Sequence, residues 1–120
     1  YMYIKNKGEK IKNIVNYFIL KYKIKYNAPR PYQLANKYNI KLYPINLPTT
    51  RTPSFPSGHS ALYYILFKYF SSIDNNNNYE DIYHNGSLSR VIAGVHFFED
   101  IDASIILVNK LLKNKILENI

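Results

Sequence analysis

Residues 56–70 read Pro56-Ser57-Gly58-His59-Ser60-Ala61-Leu62-Tyr63-Tyr64-Ile65-Leu66-Phe67-Lys68-Tyr69-Phe70, a Ser-Gly turn that runs straight into an apolar, aromatic helix. The backbone N–H groups at such a start lack helical acceptors and face the positive end of the helix dipole. Ser57 and Gly58 are therefore expected to bind an anion, with Gly58 letting the backbone approach it closely. His59 follows directly, placed to give a proton to an oxygen of that anion.

Two further strings complement this one. Downstream stands Ser89-Arg90, then His96 and Asp100, a pattern SR-x5-H-x3-D. Upstream stands Lys23, six residues before Arg30-Pro31. Lys23, Arg30 and Arg90 supply three cations, and His96 and His59 two imidazoles. Asp100, four residues after His96, can hold one imidazole nitrogen, fix the tautomer and leave the other nitrogen free to attack. Phosphoryl transfer needs this set: charge on the non-bridging oxygens neutralised, an in-line nucleophile and an acid for the leaving group. His84 belongs to no string and reads as a solvated or structural histidine.

Around these strings the pattern is helical throughout. Residues 9–26 carry Ile11, Ile14, Val15, Phe18, Ile19 and Tyr22 at helical spacing, with lysines on the other face. Asn27-Ala28-Pro29 stops that helix, and Pro31 suits the first turn of a short second one reaching about Tyr38. Residues 41–56 hold four prolines and read as an ordered, extended loop. After the helix from Gly58 to Phe70, the Asn-rich run 74–78 is a low-complexity loop. Tyr79 to Val95 reads as helix with a break at Asn85-Gly86. A last helix runs from Glu99 to about Leu117, with Ile101, Ile105, Leu107, Val108, Leu111 and Leu112 inward. The acids at its start suit the helix dipole. The expectation is an all-α fold: a small helical bundle of about five helices forming one domain over residues 1–120.

Composition narrows the chemistry. The chain has no cysteine, which excludes disulfides, zinc–thiolate sites and thiol catalysis. The net charge of +8 is concentrated in the first third. A basic face of that kind is ordinarily solvated, and no specific nucleic-acid partner is expected. The alternative of a non-catalytic protein that binds a polyanion through this face is disfavoured by the His96–Asp100 pair, which simple anion binding does not need. Of 16 basic residues only Arg30, Arg51 and Arg90 are arginine. Two of these fall inside the strings, where the planar guanidinium fork grips oxyanions in a way lysine does not copy. No apolar run reaches the roughly 20 residues that span a bilayer, because Lys68 interrupts the longest one. No signal peptide is read in the chain.

The three strings together resemble the signature of the phosphatidic acid phosphatase type 2 superfamily: K-x6-RP, PSGH and SR-x5-H-x3-D. That group takes in lipid phosphate phosphatases, bacterial class A acid phosphatases and vanadium-dependent haloperoxidases. The resemblance covers roughly residues 20–105 and includes Gly94. It implies His96 as the nucleophile that forms a phosphohistidine, or ligates vanadate in the haloperoxidases. It implies His59 as the acid, Asp100 as the partner of His96, and Lys23, Arg30, Ser57, Gly58 and Arg90 as holders of the oxyanion. The expected activity is metal-independent hydrolysis of a phosphomonoester or pyrophosphate. The substrate is a small phosphorylated molecule or a lipid phosphate, and no cofactor is needed unless the vanadate chemistry applies. Ser104 stands where the family often has glycine. The segment between the second and third strings is short and polar, which disfavours an integral membrane enzyme. Apolar surface left by a shortened N-terminal cap is expected to favour self-association.

Overall fold

The structure, a computed structural model, describes residues 2–43, 45, 48–73 and 79–115. Five α-helices and one 3-10 turn follow in order: α1 Met2–Tyr26, α2 Pro31–Lys37, the turn Pro48–Arg51, α3 Gly58–Ile73, α4 Tyr79–Ile92 and α5 Phe98–Lys113. Among the described residues there is no strand. None of their helices is long and apolar enough to cross a membrane.

Helix α3 is the centre of the bundle and packs against α1, α4 and α5. Its neighbours present apolar residues at helical spacing. Ile11, Val15 and Ile19 of α1 and Leu107, Val108 and Leu111 of α5 close on Ala61, Tyr64 and Ile65. Each fully buried Val, Ile or Leu is worth about 1.5–3 kcal/mol over its exposed state. Tyr83 brings α4 into this core by stacking on Phe67, with ring centroids 6.0 Å apart. Tyr64 lies across it, and its hydroxyl donates to Asn109 Oδ1 of α5 at 2.9 Å.

Several boundaries differ from the sequence reading. α1 starts at Met2 rather than residue 9, because extending an established helix costs little and Gly8 faces open space. The Pro-rich loop contains a 3-10 turn at Pro48–Arg51. Helix α4 runs through Asn85-Gly86 without the expected break. Gly86 is there for packing, since a Cβ at that position would lie 2.7 Å from the Tyr63 ring. α4 also ends at Ile92, short of Val95. Gly94 takes a φ of 76°, which terminates the helix in a left-handed turn. Val95 N–H then reaches back to Arg90 O, and Gly94 N–H to Val91 O, the double bond pattern of a Schellman cap. In α5 the inward stripe runs through Ile101, Ser104, Leu107, Val108 and Leu111, and Leu112 lies to one side of it, 38% exposed. α5 ends at Lys113 with Asn114 as its C-cap, short of the expected end near Leu117. The Asn run at 74–78 lies outside the described residues.

Candidate active site

Every residue of the three strings sits at a helix end, and the fold gathers these ends together. Lys23 is in the last turn of α1 and Arg30 is the N-cap of α2. Pro31 opens α2, and Gln33 accepts the Arg30 N–H through Oε1 at 2.7 Å. Ser57 caps α3: its Oγ accepts Ser60 N–H at 3.2 Å and its carbonyl accepts Ala61 N–H at 3.1 Å. Arg90 is in the last turn of α4. The Gly94 turn then delivers Val95 and His96 ahead of α5. Asp100, in the first turn of α5, reaches back to accept Phe97 N–H at 2.9 Å. The H-x3-D spacing therefore serves two ends at once, capping α5 and facing His96.

One cavity of about 500 Å³ is lined by Lys23, Arg30, Gly58, His59, Arg90 and His96, together with Lys12, Asn16, Ile19, Leu20, Thr52 and Leu62. Four of these twelve residues are cationic and none is a carboxylate. The cations at its base are deeply sunk: Arg30 is 1% exposed, and Lys23 and Arg90 are also buried. Arg51, the third arginine, is exposed on the 3-10 turn and lies apart from the cavity.

His96 is held at both ring nitrogens. Its Nδ1 lies 3.1 Å from Asp100 Oδ2, and Arg30 Nη1 lies 3.2 Å from its Nε2. Arginine only donates, so Nε2 is the bare nitrogen and Nδ1 carries the proton toward the carboxylate. Arg30 itself is fixed by donating to Thr52 O and Val95 O, each at 2.9 Å. Asp100 Oδ2 also accepts Ser54 Oγ–H at 2.5 Å. Below this cluster Ser104 Oγ lies within hydrogen-bond reach of Ser57 O at 2.6 Å and Asp100 O at 2.8 Å, and Ser57 N–H donates to Asp100 O at 3.0 Å. These bonds tie the α3 cap to the α5 start.

Concentrating cations under cover shifts the titrating groups. Burial first, then Arg30 and Arg90, push Lys23 down to about 8, against an upward pull from Asp100. Burial and then the charge of Arg90 push His59 down to about 4, so its imidazole is neutral at pH 7. Burial lowers His96 as well, against the opposing effect of its hydrogen bond to Asp100. Burial pulls Asp100 upward, but the hydrogen bonds from His96, Ser54 and Phe97 N–H outweigh it and keep the carboxyl below its usual range.

Of the residues singled out by sequence, Lys23, Arg30, Gly58, His59, Arg90 and His96 line the cavity, and Asp100 stands behind His96. Ser57 lies beneath, fully buried. Its N–H is committed to Asp100 O and is not free for an anion, contrary to the sequence expectation. His84 is on the surface beside Glu80 at 3.5 Å. The sequence reading missed Ser54, Thr52, Lys12 and Asn16. Ser54 and Thr52 sit in a loop without periodicity. Lys12 and Asn16 carried a signal: they precede Lys23 by 11 and seven residues, three turns and two turns of one helix face.

With this geometry in view, the comparison with known families is direct. The family model of the PAP2 superfamily matches residues 11–108, a span that takes in all three strings, the whole of α2, α3 and α4, and most of α1 and α5. The chain belongs to the PAP2 superfamily, a group of phosphatases and haloperoxidases. Searches of curated proteins and of solved structures gave no significant match.

Proposed function

We propose that the protein is a metal-independent phosphatase acting on a phosphomonoester or pyrophosphate through a phosphohistidine at His96. The observation that carries this reading is the cavity itself: four cations and no carboxylate in the lining, with a bare imidazole nitrogen among them. Such a site favours a multiply charged oxyanion and disfavours a neutral ligand.

The bound phosphoryl oxygens lie against Lys23, Arg30, Arg90 and the N–H groups of Gly58 and His59. His96 Nε2 gives its lone pair to phosphorus as the bond to the leaving oxygen breaks. Asp100 stabilises the positive charge that develops on the ring. Burial first, and then the cations led by Arg90, hold His59 at about 4; a phosphate dianion entering the site offsets the cationic share and favours the protonated imidazole. His59 gives that proton to the leaving oxygen, then takes one from the water that attacks the phosphohistidine. Histidine and Asp100 return to their starting states, and inorganic phosphate leaves. The cations supply the charge neutralisation that a divalent metal supplies elsewhere.

A screen of phosphomonoesters, pyrophosphate and lipid phosphates in the presence of EDTA tests this. Turnover that persists in EDTA and is blocked by vanadate is the expected result. Turnover that returns only with Mg²⁺ or Zn²⁺ overturns the mechanism. Halide oxidation with peroxide and vanadate, without phosphatase turnover, establishes the haloperoxidase alternative, because the same residues would hold vanadate.

A further inference from the structure

Three consecutive residues of the loop before α3 touch three different groups of the site. Thr52 O accepts from Arg30 Nε, Pro53 O accepts from Lys23 Nζ, and Ser54 Oγ donates to Asp100 Oδ2. Ser54 N–H also anchors the loop by donating to Ala28 O at 2.9 Å, in the break between α1 and α2. The two carbonyl contacts are available to any residue. The Ser54 contact is made by a side chain, and that side chain is fully buried.

We propose that Ser54 is a positioning residue for His96, holding Asp100 ionised and aimed so that the imidazole stays in the tautomer with Nε2 bare. The inference rests on the reading of His96 as nucleophile. An ionised carboxylate only accepts, so the single hydroxyl proton of Ser54 goes to Asp100 Oδ2. A donor to the charged form favours that form. If Asp100 were protonated, its own O–H would donate to Nδ1 and drive the ring to the opposite tautomer, placing a hydrogen on the attacking atom. With its proton committed, Ser54 turns a lone pair toward His96 Nδ1, 3.5 Å away. The Nδ1–H edge then faces two oxygens, and a ring in the opposite tautomer would face them with a lone pair.

Three replacements grade the donor while leaving the cavity lining untouched. Ser54→Thr keeps the hydroxyl, Ser54→Cys keeps the volume with a weak donor, and Ser54→Ala removes the donor. Ser54→Ala is expected to lower kcat about 10–100-fold with KM within about two-fold of wild type, as for other orienting groups. Its acid limb in kcat/KM should move to higher pH, because Asp100 and, through it, His96 become more basic. Cys should fall between, and Thr should stay near wild type. Nitrogen NMR of His96 supplies a readout that needs no turnover. The wild type should show the Nδ1–H form and Ser54→Ala a mixture of tautomers. A tautomer change without any phosphatase activity in the wild type keeps the positioning role and removes the proposed reaction. An unchanged acid limb and an unchanged tautomer in Ser54→Ala overturn the inference. So does a ranking of the three variants unrelated to donor strength, which also decides the matter if the Ala variant does not fold.

Discussion

Arg30 Nη1 lies 3.2 Å from His96 Nε2, so in the proposed mechanism the residue that grips the oxyanion also covers the nitrogen that attacks it. This contact keeps Nε2 unprotonated, because a guanidinium offers only hydrogens. Arg30→Lys keeps the charge but cannot donate at once to Thr52 O, Val95 O and His96. We expect kcat/KM to fall by about 10²–10³, as when a preorganised oxyanion donor is lost. Stability should also fall by about 1–3 kcal/mol, since buried carbonyl partners are left unmatched. Steady-state kinetics and denaturant melts read these separately. A Lys variant within a few-fold of wild type in both would remove Arg30 from the site.

Replacing His96 with Ala should abolish turnover and phosphoenzyme together. Asp100→Asn should act more gently on the anion site and severely on the rate. The Asn amide cannot balance the charge of an imidazolium, and its NH₂ competes with the donors now aimed at Oδ2. A loss of about two to four orders of magnitude in kcat is expected, by analogy with other orienting carboxylates. Inorganic phosphate should still bind, because Lys23, Arg30 and Arg90 are untouched. A labelled phosphoenzyme surviving in His96→Ala would place the nucleophile elsewhere.

The helices were legible because their apolar residues repeat at 3, 4 and 7. Val15 and Ile19 of α1, and Leu107, Val108 and Leu111 of α5, are buried as that period requires. The site strings were legible because short spacings translate directly into geometry: four residues carry Asp100 from the last residue before the helix cap into its first turn. Ser54 was not legible. It meets Asp100 across 46 residues of chain, in a loop whose path depends on Lys23 and Arg30 holding its carbonyls. Gly86 misled for a related reason. Its sequence neighbours suggest a break, while its spatial neighbour, the Tyr63 ring, explains it. The state of the Ser57 N–H was hidden too, because its acceptor comes from α5.

His59 should be separable from His96 by the leaving group. A substrate such as nitrophenyl phosphate leaves readily without a proton, whereas an alkyl phosphate needs one. His59→Ala is therefore expected to slow alkyl phosphates by about 10²–10⁴ and nitrophenyl phosphate far less, the range typical of general acid catalysis. Equal losses on both substrates would show that His59 is not the acid.

Gly94→Ala tests the turn that delivers His96. The left-handed φ of 76° costs an L-residue about 1–2 kcal/mol. Loss of the turn would also disturb Val95 O, which holds Arg30 Nη1. Thermal melts should show the destabilisation, and kcat should fall even where the protein remains folded. A variant as stable and active as wild type would mean that the Schellman cap does not set the position of His96.

Lys23 offers a pH signature that does not depend on turnover. Its ammonium is pushed down to about 8 by burial and by Arg30 and Arg90. Folding therefore depresses its proton affinity below the ordinary lysine value of 10.5. Between about 8 and 10.5 the unfolded chain binds the proton that the folded chain has lost, so this group's contribution makes stability rise with pH across that window. Anion affinity should run the opposite way. Below about 8 Lys23 is charged and, in the proposed mechanism, holds phosphate. Above it, binding must first restore the proton, so affinity should fall by about tenfold per pH unit as long as one proton is taken up per phosphate. Lys23→Arg carries a cation that does not titrate in this range and should remove the decline, whatever its affinity at pH 7. Calorimetric titration with inorganic phosphate from pH 6 to 10, in buffers of differing ionisation enthalpy, measures both affinity and proton uptake. A wild-type affinity that stays flat above pH 8, with no proton taken up, would show that Lys23 does not hold the anion.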